Sequence, residues 1–314
     1  MQVIECAGHP RDLGFAQGAA LRKQVKDQAD KAGLPVGRSR WPSLHPFVKG
    51  PVRGRGASRE MIRHYTHLAE RVDGLARGSA LPVDSIFDLQ LEAHCEETHV
   101  MALGFSGRDK ESGPALARSL SGSDWVIRKS LPEVGFSSLE LTHPWSVTSV
   151  AGINQASLAG CWVPASGGLS ASAGAHPPAQ LLMQECLQRF VDIEACIDWC
   201  SHRPASGRAS LFLADSEGGR VRIQFDGEDV SVVRETEEIC ILGDSGTSDQ
   251  VLKDSLLDKS TPDEAKLKAT FEQRSASAYV RLLCGQRRLE VRNLLRPAEI
   301  LSLELEGEGH GQPG

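Results

Sequence analysis

The 314-residue sequence lacks several features that would identify a protein class at once. It has no run of the roughly 18–20 apolar residues needed to span a bilayer. Residues 1–6 lack the basic segment and apolar core of a secretory signal. It also lacks a phosphate-binding loop, a dinucleotide fingerprint and a repeat with a period of 20–50 residues. These absences predict a cytoplasmic protein with no membrane partner, and they argue against a solenoid.

Charge is also ordinary, with a net value of −6 and 24% charged residues. Such a balance gives no electrostatic reason to expect nucleic acid or an anionic membrane as a partner. The basic stretch at 36–58 contains no acidic residue and is interpreted as a solvated connection. Nothing in the sequence indicates an oligomeric state.

Eight cysteines are scattered over the chain, without the spacing of a disulfide framework. Cys186, Cys196 and Cys200 are followed by His202, which raises the question of a metal site. Cys196 and Cys200 are four residues apart on an apolar helical face, where a free cysteine behaves as a small hydrophobe. Zinc sites usually show tighter paired spacing. The sequence therefore predicts no metal and no cofactor.

The first third of the chain has helical periodicity. Residues 11–31 predict a helix in which Gly14 and Gly18 lie on one face. Each glycine costs about 1 kcal/mol relative to alanine in a helix interior, so we expect this face to pack closely against another backbone. Further helices are predicted over 58–78, from an apolar stripe, and over 84–94.

After residue 94 the period becomes strand-like. Strands are predicted at 100–103, 115–120, 136–141, 145–150, 157–163, 210–214, 220–225, 230–233 and 239–242, with a turn at 152–155. Helices are predicted at 180–200, with Asp192 capping the second part, and at 262–287.

Antiparallel strands with helices segregated into layers are typical of an α+β sandwich. We predict one domain overall. Residues 1–94 form a helical segment packed on the core, residues 95–303 form the core, and residues 304–314 form a polar tail.

Four stretches, in order, resemble the isopenicillin N acyltransferase family of N-terminal-nucleophile (Ntn) hydrolases. Residues 8–18 resemble its G-x-P and G-x-x-x-G opening, and residues 115–121 its "LGRND" strand. Residues 152–159 resemble its G-x-N-x-x-G-L-A turn, and residues 181–224 its helix pair with two following strands. The resemblance covers most of residues 7–227 and little beyond about residue 245.

The resemblance implies an αββα sandwich and a self-cleaving enzyme. In that chemistry a cut before a cysteine frees an α-amine, whose pKa near 8 suits it to act as a base. The thiolate attacks an amide carbonyl and forms an acyl-enzyme, while backbone and asparagine donors stabilise the oxyanion. An amine or water then takes the acyl group. The implied substrate is a small amide or acyl-thioester.

This sequence departs from the family at the nucleophile. Placing residues 100–104 on the family strand puts Glu97 at the cysteine position, and a carboxylate cannot form the thioester. A start two residues earlier would bring in Cys95, and a start one residue later Thr98. A two-residue shift keeps the side chain on the same face of a strand, so Cys95 is the better candidate and Thr98 the second. The alternative is that Cys95 is a thiol at a helix end.

Other site residues follow from the same resemblance. Arg118 is retained, whereas Ser119 and Ser121 stand where the family has asparagine and aspartate. We predict that these three residues contact substrate, together with Asp124 in the following loop. Asn154 is retained as a predicted oxyanion or substrate contact, and the alternative is a turn residue.

Two functions therefore remain open. One is a divergent acyltransferase or amidohydrolase that acts through a processed Cys95. The other is a catalytically inactive relative that retains the fold as a small-molecule-binding or protein-assembly module.

Overall fold

The structure is a computed structural model that describes residues 1–36, 55–92, 100–107, 113–122, 124–165, 176–227, 229–243, 256, 264–273, 276–296 and 299–306. These residues include eight α-helices: α1 Pro10–Ala20, α2 Arg22–Lys31, α3 Arg55–His64, α4 Thr66–Ser79, α5 Val83–Glu92, α6 Gln180–Arg189, α7 Ile193–His202 and α8 Glu264–Glu272. The strands are β1 Gln2–Gly8, β2 Met101–Phe105, β3 Ala115–Leu120, β4 Val126–Pro132, β5 Ser138–Thr142, β6 Ala151–Asn154, β7 Ala159–Pro164, β8 Arg208–Ala214, β9 Arg220–Asp226, β10 Asp229–Arg234, β11 Ile239–Gly243, β12 Ala278–Leu283, β13 Arg288–Asn293 and β14 Ile300–Glu304.

The strands form two sheets. Sheet A has eight strands in the order β1-β4-β5-β6-β7-β8-β9-β10, and sheet B has six in the order β11-β2-β3-β12-β13-β14. Every pairing is antiparallel except that of β1 with β4.

Buried apolar side chains form three layers, because side chains alternate between the two faces of a strand. One cluster lies between the helices and the outer face of sheet A, and it includes Ile4 and Leu75. A second cluster lies between the sheets, and it includes Leu116 and Leu139. A third joins the outer face of sheet B to α8 through residues such as Phe271. These layers confirm the predicted α+β sandwich of two sheets between helices.

Helices α1 and α4 touch through their backbones. A methyl group added at Gly14 would lie 2.0 Å from the carbonyl oxygen of Arg71, and one at Gly18 would lie 2.4 Å from that of Leu75. This confirms the close packing that the glycine spacing predicts. Helix α4 also contributes a glycine to this contact, because a methyl group added at Gly74 would lie 1.9 Å from the carbonyl oxygen of Arg11 in α1.

Three sequence-based element assignments are wrong. Residues 145–150 form turns, not a strand, and residues 152–154 belong to β6 while the turn follows them. The helix predicted over 262–287 ends at Glu272, and β12 follows as an interior strand of sheet B. There, pairing with β3 and β13 outweighs the local helix preference of the sequence.

The helix predicted over 58–78 is also two helices, α3 and α4, separated at Tyr65. Tyr65 leaves the helical conformation with φ −131° and ψ 49°, and its hydroxyl donates to the Pro204 carbonyl oxygen at 3.0 Å. The apolar stripe continues across this break, so periodicity alone does not reveal it.

A buried polar network lies between the helices and sheet A. Its centre is the ion pair of Arg128 with Glu140, in which Nε donates to Oε2 at 2.6 Å and both side chains are fully buried. The other N–H groups of Arg128 donate to oxygens of Gln17, Ser146, Val147 and Gln184. The carboxylate also accepts from Ser130, Ser138 and Gln184.

The predicted helical segment also contributes a strand to the core, because β1 pairs with β4 along residues 2–8. The boundary predicted at residues 94 and 95 lies outside the described residues. Within the described ranges, no helix is long and apolar enough to cross a membrane.

Candidate functional site

The end of sheet B where β2 begins corresponds to the predicted reaction site. Strands β2 and β3 are antiparallel, so the start of β2 lies beside the end of β3. The Met101 N–H donates to Ser119 Oγ at 2.8 Å, which ties the two strands together at this point. Cys95, Glu97 and Thr98 lie just before β2 but outside the described residues, so the choice of nucleophile stays a prediction.

The Ser119→Ala variant is expected to lose about 1–3 kcal/mol of unfolding free energy, because it removes a buried acceptor from a main-chain N–H. Urea denaturation measures this loss. Ser119→Thr keeps the hydroxyl and should retain more stability than the alanine variant. Ser121→Ala, at an exposed position nearby, should stay within about 0.5 kcal/mol of wild type. Equal stability of Ser119→Ala and wild type would refute the positioning role.

Arg118 and Ser119 face opposite sides of sheet B. Arg118 is fully buried between the sheets, where Nε donates to the Trp162 carbonyl oxygen at 2.7 Å. Its guanidinium carbon lies 5.8 Å from the ring centroid of Trp125. Ser119 alternates with it and shares the outer face with Tyr279, which belongs to the layer against α8. The structure thus does not bring these two predicted substrate contacts onto one face.

The loop after β3 carries the other two predicted substrate contacts. The side chains of Ser121 and Asp124 are exposed, but their backbone carbonyl oxygens contact neighbouring aromatic rings. Ser121 O accepts from Trp125 Nε1 at 2.9 Å, and Asp124 O lies 3.3 Å from Nδ1 of His143. Substrate contact by either side chain stays a prediction.

A stack of three rings at this end is not anticipated from the sequence. The His143 imidazole lies between two indoles, with centroids 4.0 Å from Trp125 and 4.8 Å from Trp145. Gln90 of α5 fastens this turn, because Nε2 donates to Trp145 O at 2.7 Å and Oε1 accepts from Val147 N at 2.8 Å. Because Trp125 also donates to Ser121 O, the stack lies beside the end of β3.

Asn154 is buried on the helical side of sheet A. Its side chain points into the helical layer, where Nδ2 donates to Leu187 O at 3.0 Å and Phe190 O at 2.8 Å. Its Oδ1 accepts from the N–H groups of Ala156 and Leu158. Both amide hydrogens and the oxygen are thus engaged: Oδ1 closes the turn, and Nδ2 ties the turn to the end of α6.

Asn154 and Ser119 also stand at opposite ends of the sandwich. Next to Asn154 in sheet A, the β7–β8 pair ends at Ala159 and Ala214. The oxygen of Ala214 lies 3.7 Å from the sulfur of Cys284, which follows β12 at the end where β3 begins. Ser119 is near the other end of β3, so the structure does not bring it together with Asn154.

Each of the seven cysteines in the described ranges is a buried free thiol. Burial raises the pKa of Cys161 to about 12, although the charge of Arg118 opposes this, and a thiol in this state is a poor nucleophile. The Cys186 and Cys200 sulfurs are 3.8 Å apart, whereas the exposed His202 imidazole lies near Asp198. Among the described residues no group of three His, Cys, Asp or Glu side chains could hold a metal ion.

Comparison with known proteins gives similarity only at the level of solved structures. No family model and no curated protein matches the sequence. Penicillin V acylase from Agrobacterium tumefaciens matches with TM-score 0.47 and 13% identity, over 65% of this chain and 86% of that chain. A mutant of conjugated bile acid hydrolase from Clostridium perfringens matches with TM-score 0.48 and 10% identity, over 65% and 92%. A Caenorhabditis elegans N-acylethanolamine-hydrolyzing acid amidase ortholog matches with TM-score 0.45 and 8% identity, over 59% and 93%.

Proposed function

We propose that this chain is a divergent Ntn-type amide hydrolase or acyltransferase that cleaves itself before Cys95. The observation that carries the proposal is that β2 begins beside the end of β3, because Cys95 precedes β2 by six residues in the sequence. The motif order supports the same interpretation, because residues 115–120 form β3 and residues 155–158 form the turn between β6 and β7.

The chemistry proceeds through a thioester. The α-amine freed by the cut takes the proton from the Cys95 thiol, and the thiolate attacks the carbonyl carbon of the substrate amide. The α-ammonium returns the proton to the amide nitrogen, the C–N bond breaks, the neutral amine leaves, and the acyl group remains on sulfur. Water or a second amine then attacks the thioester and releases the acid or a new amide.

The described residues supply surroundings for this reaction. Arg118 places a buried positive charge between the sheets, where it favours the thiolate and the oxyanion over their neutral forms. The rings of Trp125 and Trp145 supply an apolar wall that suits an acyl group.

Intact-mass spectrometry of the denatured wild-type chain tests the proposal. A cut before Cys95 divides the 33.9 kDa chain into fragments of about 10 and 24 kDa, in proportion to length. We expect both fragments in wild type and in Thr98→Ala, and a single uncut mass in Cys95→Ala. Fragments that persist in Cys95→Ala but vanish in Thr98→Ala would assign the cut to Thr98.

A single uncut mass in all three proteins would overturn self-processing. The second candidate function, a catalytically inactive relative that binds a small molecule or a protein, would then replace the first. The contacts of Asn154 favour this second candidate, because its amide already has partners within the chain.

A further inference from the structure

A cavity of about 520 Å³ opens on the helical side of sheet A, away from the end where β2 begins. It lies between α1, α4, the end of α6 and the connection from β4 to β5. Its wall is apolar over much of its area, through Leu13, Leu68, Val134 and Phe190, and it also includes Arg71. This volume falls within the roughly 300–1,000 Å³ of small-molecule sites.

Arg71 carries hydrogen-bond donors that nothing in the described chain accepts. The side chain is 1% exposed, and its Nη2 donates to Ser130 Oγ at 3.1 Å. Its Nε and Nη1 have no acceptor among the described residues. A buried guanidinium with unmatched N–H groups is costly unless a ligand or water supplies the acceptor.

The charge of Arg71 also has only a distant and shared counter-charge. Glu140 is the nearest carboxylate, but its Oε2 is 3.9 Å from Arg71 and accepts at 2.6 Å from Arg128. Two buried arginines thus share one buried glutamate. Burial and the charge of Arg128 lower the pKa of Arg71 to about 10, which leaves it protonated at neutral pH.

The other charged groups that line this cavity do not neutralise Arg71. His67 and Arg189 pair with the buried Glu185 at 2.8 and 3.0 Å, and the exposed Glu133 makes no ion pair with Arg71. Glu70 lies 3.7 Å from the exposed His9 at the rim. An acceptor for Nε and Nη1 of Arg71 must therefore come from outside the described chain.

We propose that this cavity binds a small monocarboxylate with an apolar body, whose carboxylate accepts hydrogen bonds from Arg71. One negative charge matches the second of two buried arginines that share Glu140, and the apolar body matches the wall of Leu13, Leu68 and Phe190. A phosphate dianion fits less well, because Glu70 and Glu133 line the same cavity. None of the described residues that line this cavity belongs to the segment that contains Cys95.

Isothermal titration calorimetry on the full-length chain tests the ligand class. Sodium hexanoate is expected to bind, whereas 1-hexanol, which lacks the charge, and sodium phosphate, which lacks the apolar body, are expected to bind at least about 10-fold more weakly. Phosphate affinity equal to that of hexanoate would overturn the carboxylate assignment. Absence of hexanoate binding would overturn the site.

Arg71→Met tests the residue, because it keeps an unbranched apolar stem and removes the guanidinium group with its charge. Hexanoate affinity should fall at least about 10-fold. It should not change in Arg77→Met, which alters an exposed arginine on the same helix that pairs with Asp73. Unchanged affinity in Arg71→Met would refute the assignment.

A measurement on the wild-type chain covers the case in which Arg71→Met does not fold. Hexanoate should shift the assigned NMR signal of the Arg71 Nε–H group and leave that of Arg77 unchanged. Binding without a shift at Arg71 would place the ligand elsewhere and overturn the proposal.

Discussion

The Glu140→Gln variant is expected to lose about 3–5 kcal/mol of unfolding free energy, because it removes one partner from a buried ion pair. Arg128 would keep an oxygen acceptor but lose its counter-charge, and Arg71 would stand beside a second uncompensated arginine. Both guanidinium groups are buried and cannot regain hydration without opening the helical layer. Urea denaturation at neutral pH measures the difference.

The matched control for Glu140 is Glu5→Gln on β1 of the same sheet. Glu5 is 59% exposed and pairs with Lys129 at 3.2 Å, so its replacement should cost less than about 1 kcal/mol. A loss of similar size in both variants would contradict the importance assigned to burial.

Acid provides a second measurement of the Glu140 pair. Burial alone would raise the pKa of Glu140, but the charges of Arg128 and Arg71 and the Ser138 and Gln184 hydrogen bonds together lower it below its ordinary value. A depressed pKa adds stability above the unfolded value of about 4.3, and this stability is lost as pH falls through the folded pKa. Below about pH 4 the stability of Glu140→Gln should therefore fall less steeply than that of wild type.

The Gly74→Ala variant is expected to lose about 3 kcal/mol, because the new methyl group would lie 1.9 Å from the Arg11 carbonyl oxygen. The next neighbours are also backbone atoms, so no side-chain rotation relieves the overlap and the helices must separate. Alanine is about 1 kcal/mol better than glycine in a helix interior, so helix propensity alone predicts the opposite sign. Thermal or urea unfolding distinguishes the two outcomes.

Gly243→Ala is the control for the helix contact. A methyl group there would lie 3.5 Å from Met101 Cγ, which is ordinary contact, and stability should stay within about 0.5 kcal/mol of wild type. A Gly74→Ala protein as stable as wild type would refute backbone contact between α1 and α4.

Features that rest on local signals could be read from the sequence. The spacing of Gly14 and Gly18 predicted a close helix contact, and Asp192 was predicted to cap a helix, where its carboxylate accepts from Ala195 N at 2.8 Å. The β3 strand matches its predicted range of residues. Each of these signals lies within a few residues, so neither topology nor long-range packing was needed.

Features that rest on distant pairing could not be read in this way. Residues 278–283 form a strand only because β3 and β13 flank them, and β1 was missed because its partner β4 lies more than 120 residues away. Trp145 and Val147 alternate with polar residues, as in a strand, but they lie in a turn that Gln90 holds through two hydrogen bonds.

The candidate site shows the same division. Its motifs indicate the β2–β3 end and Arg118, and strand alternation alone puts Arg118 and Ser119 on opposite faces. Which of the two faces lies between the sheets depends on how the sheets and α8 pack. The shared counter-charge of Arg71 arises from residues on α4, β4 and β5, and no local pattern joins them.

The pairing of β1 with β4 would hold the two fragments of a self-cleaved molecule together. Seven residues of β1 pair with β4, and α1 and α4 are packed into the same layer. A cut before Cys95 would therefore yield a noncovalent heterodimer whose small subunit completes the sheet of the large one. Its two subunits would migrate together in native chromatography and separate only in denaturant. Unchanged native size would thus say nothing about cleavage, and a large subunit expressed alone would present the open edge of β4 to other strands.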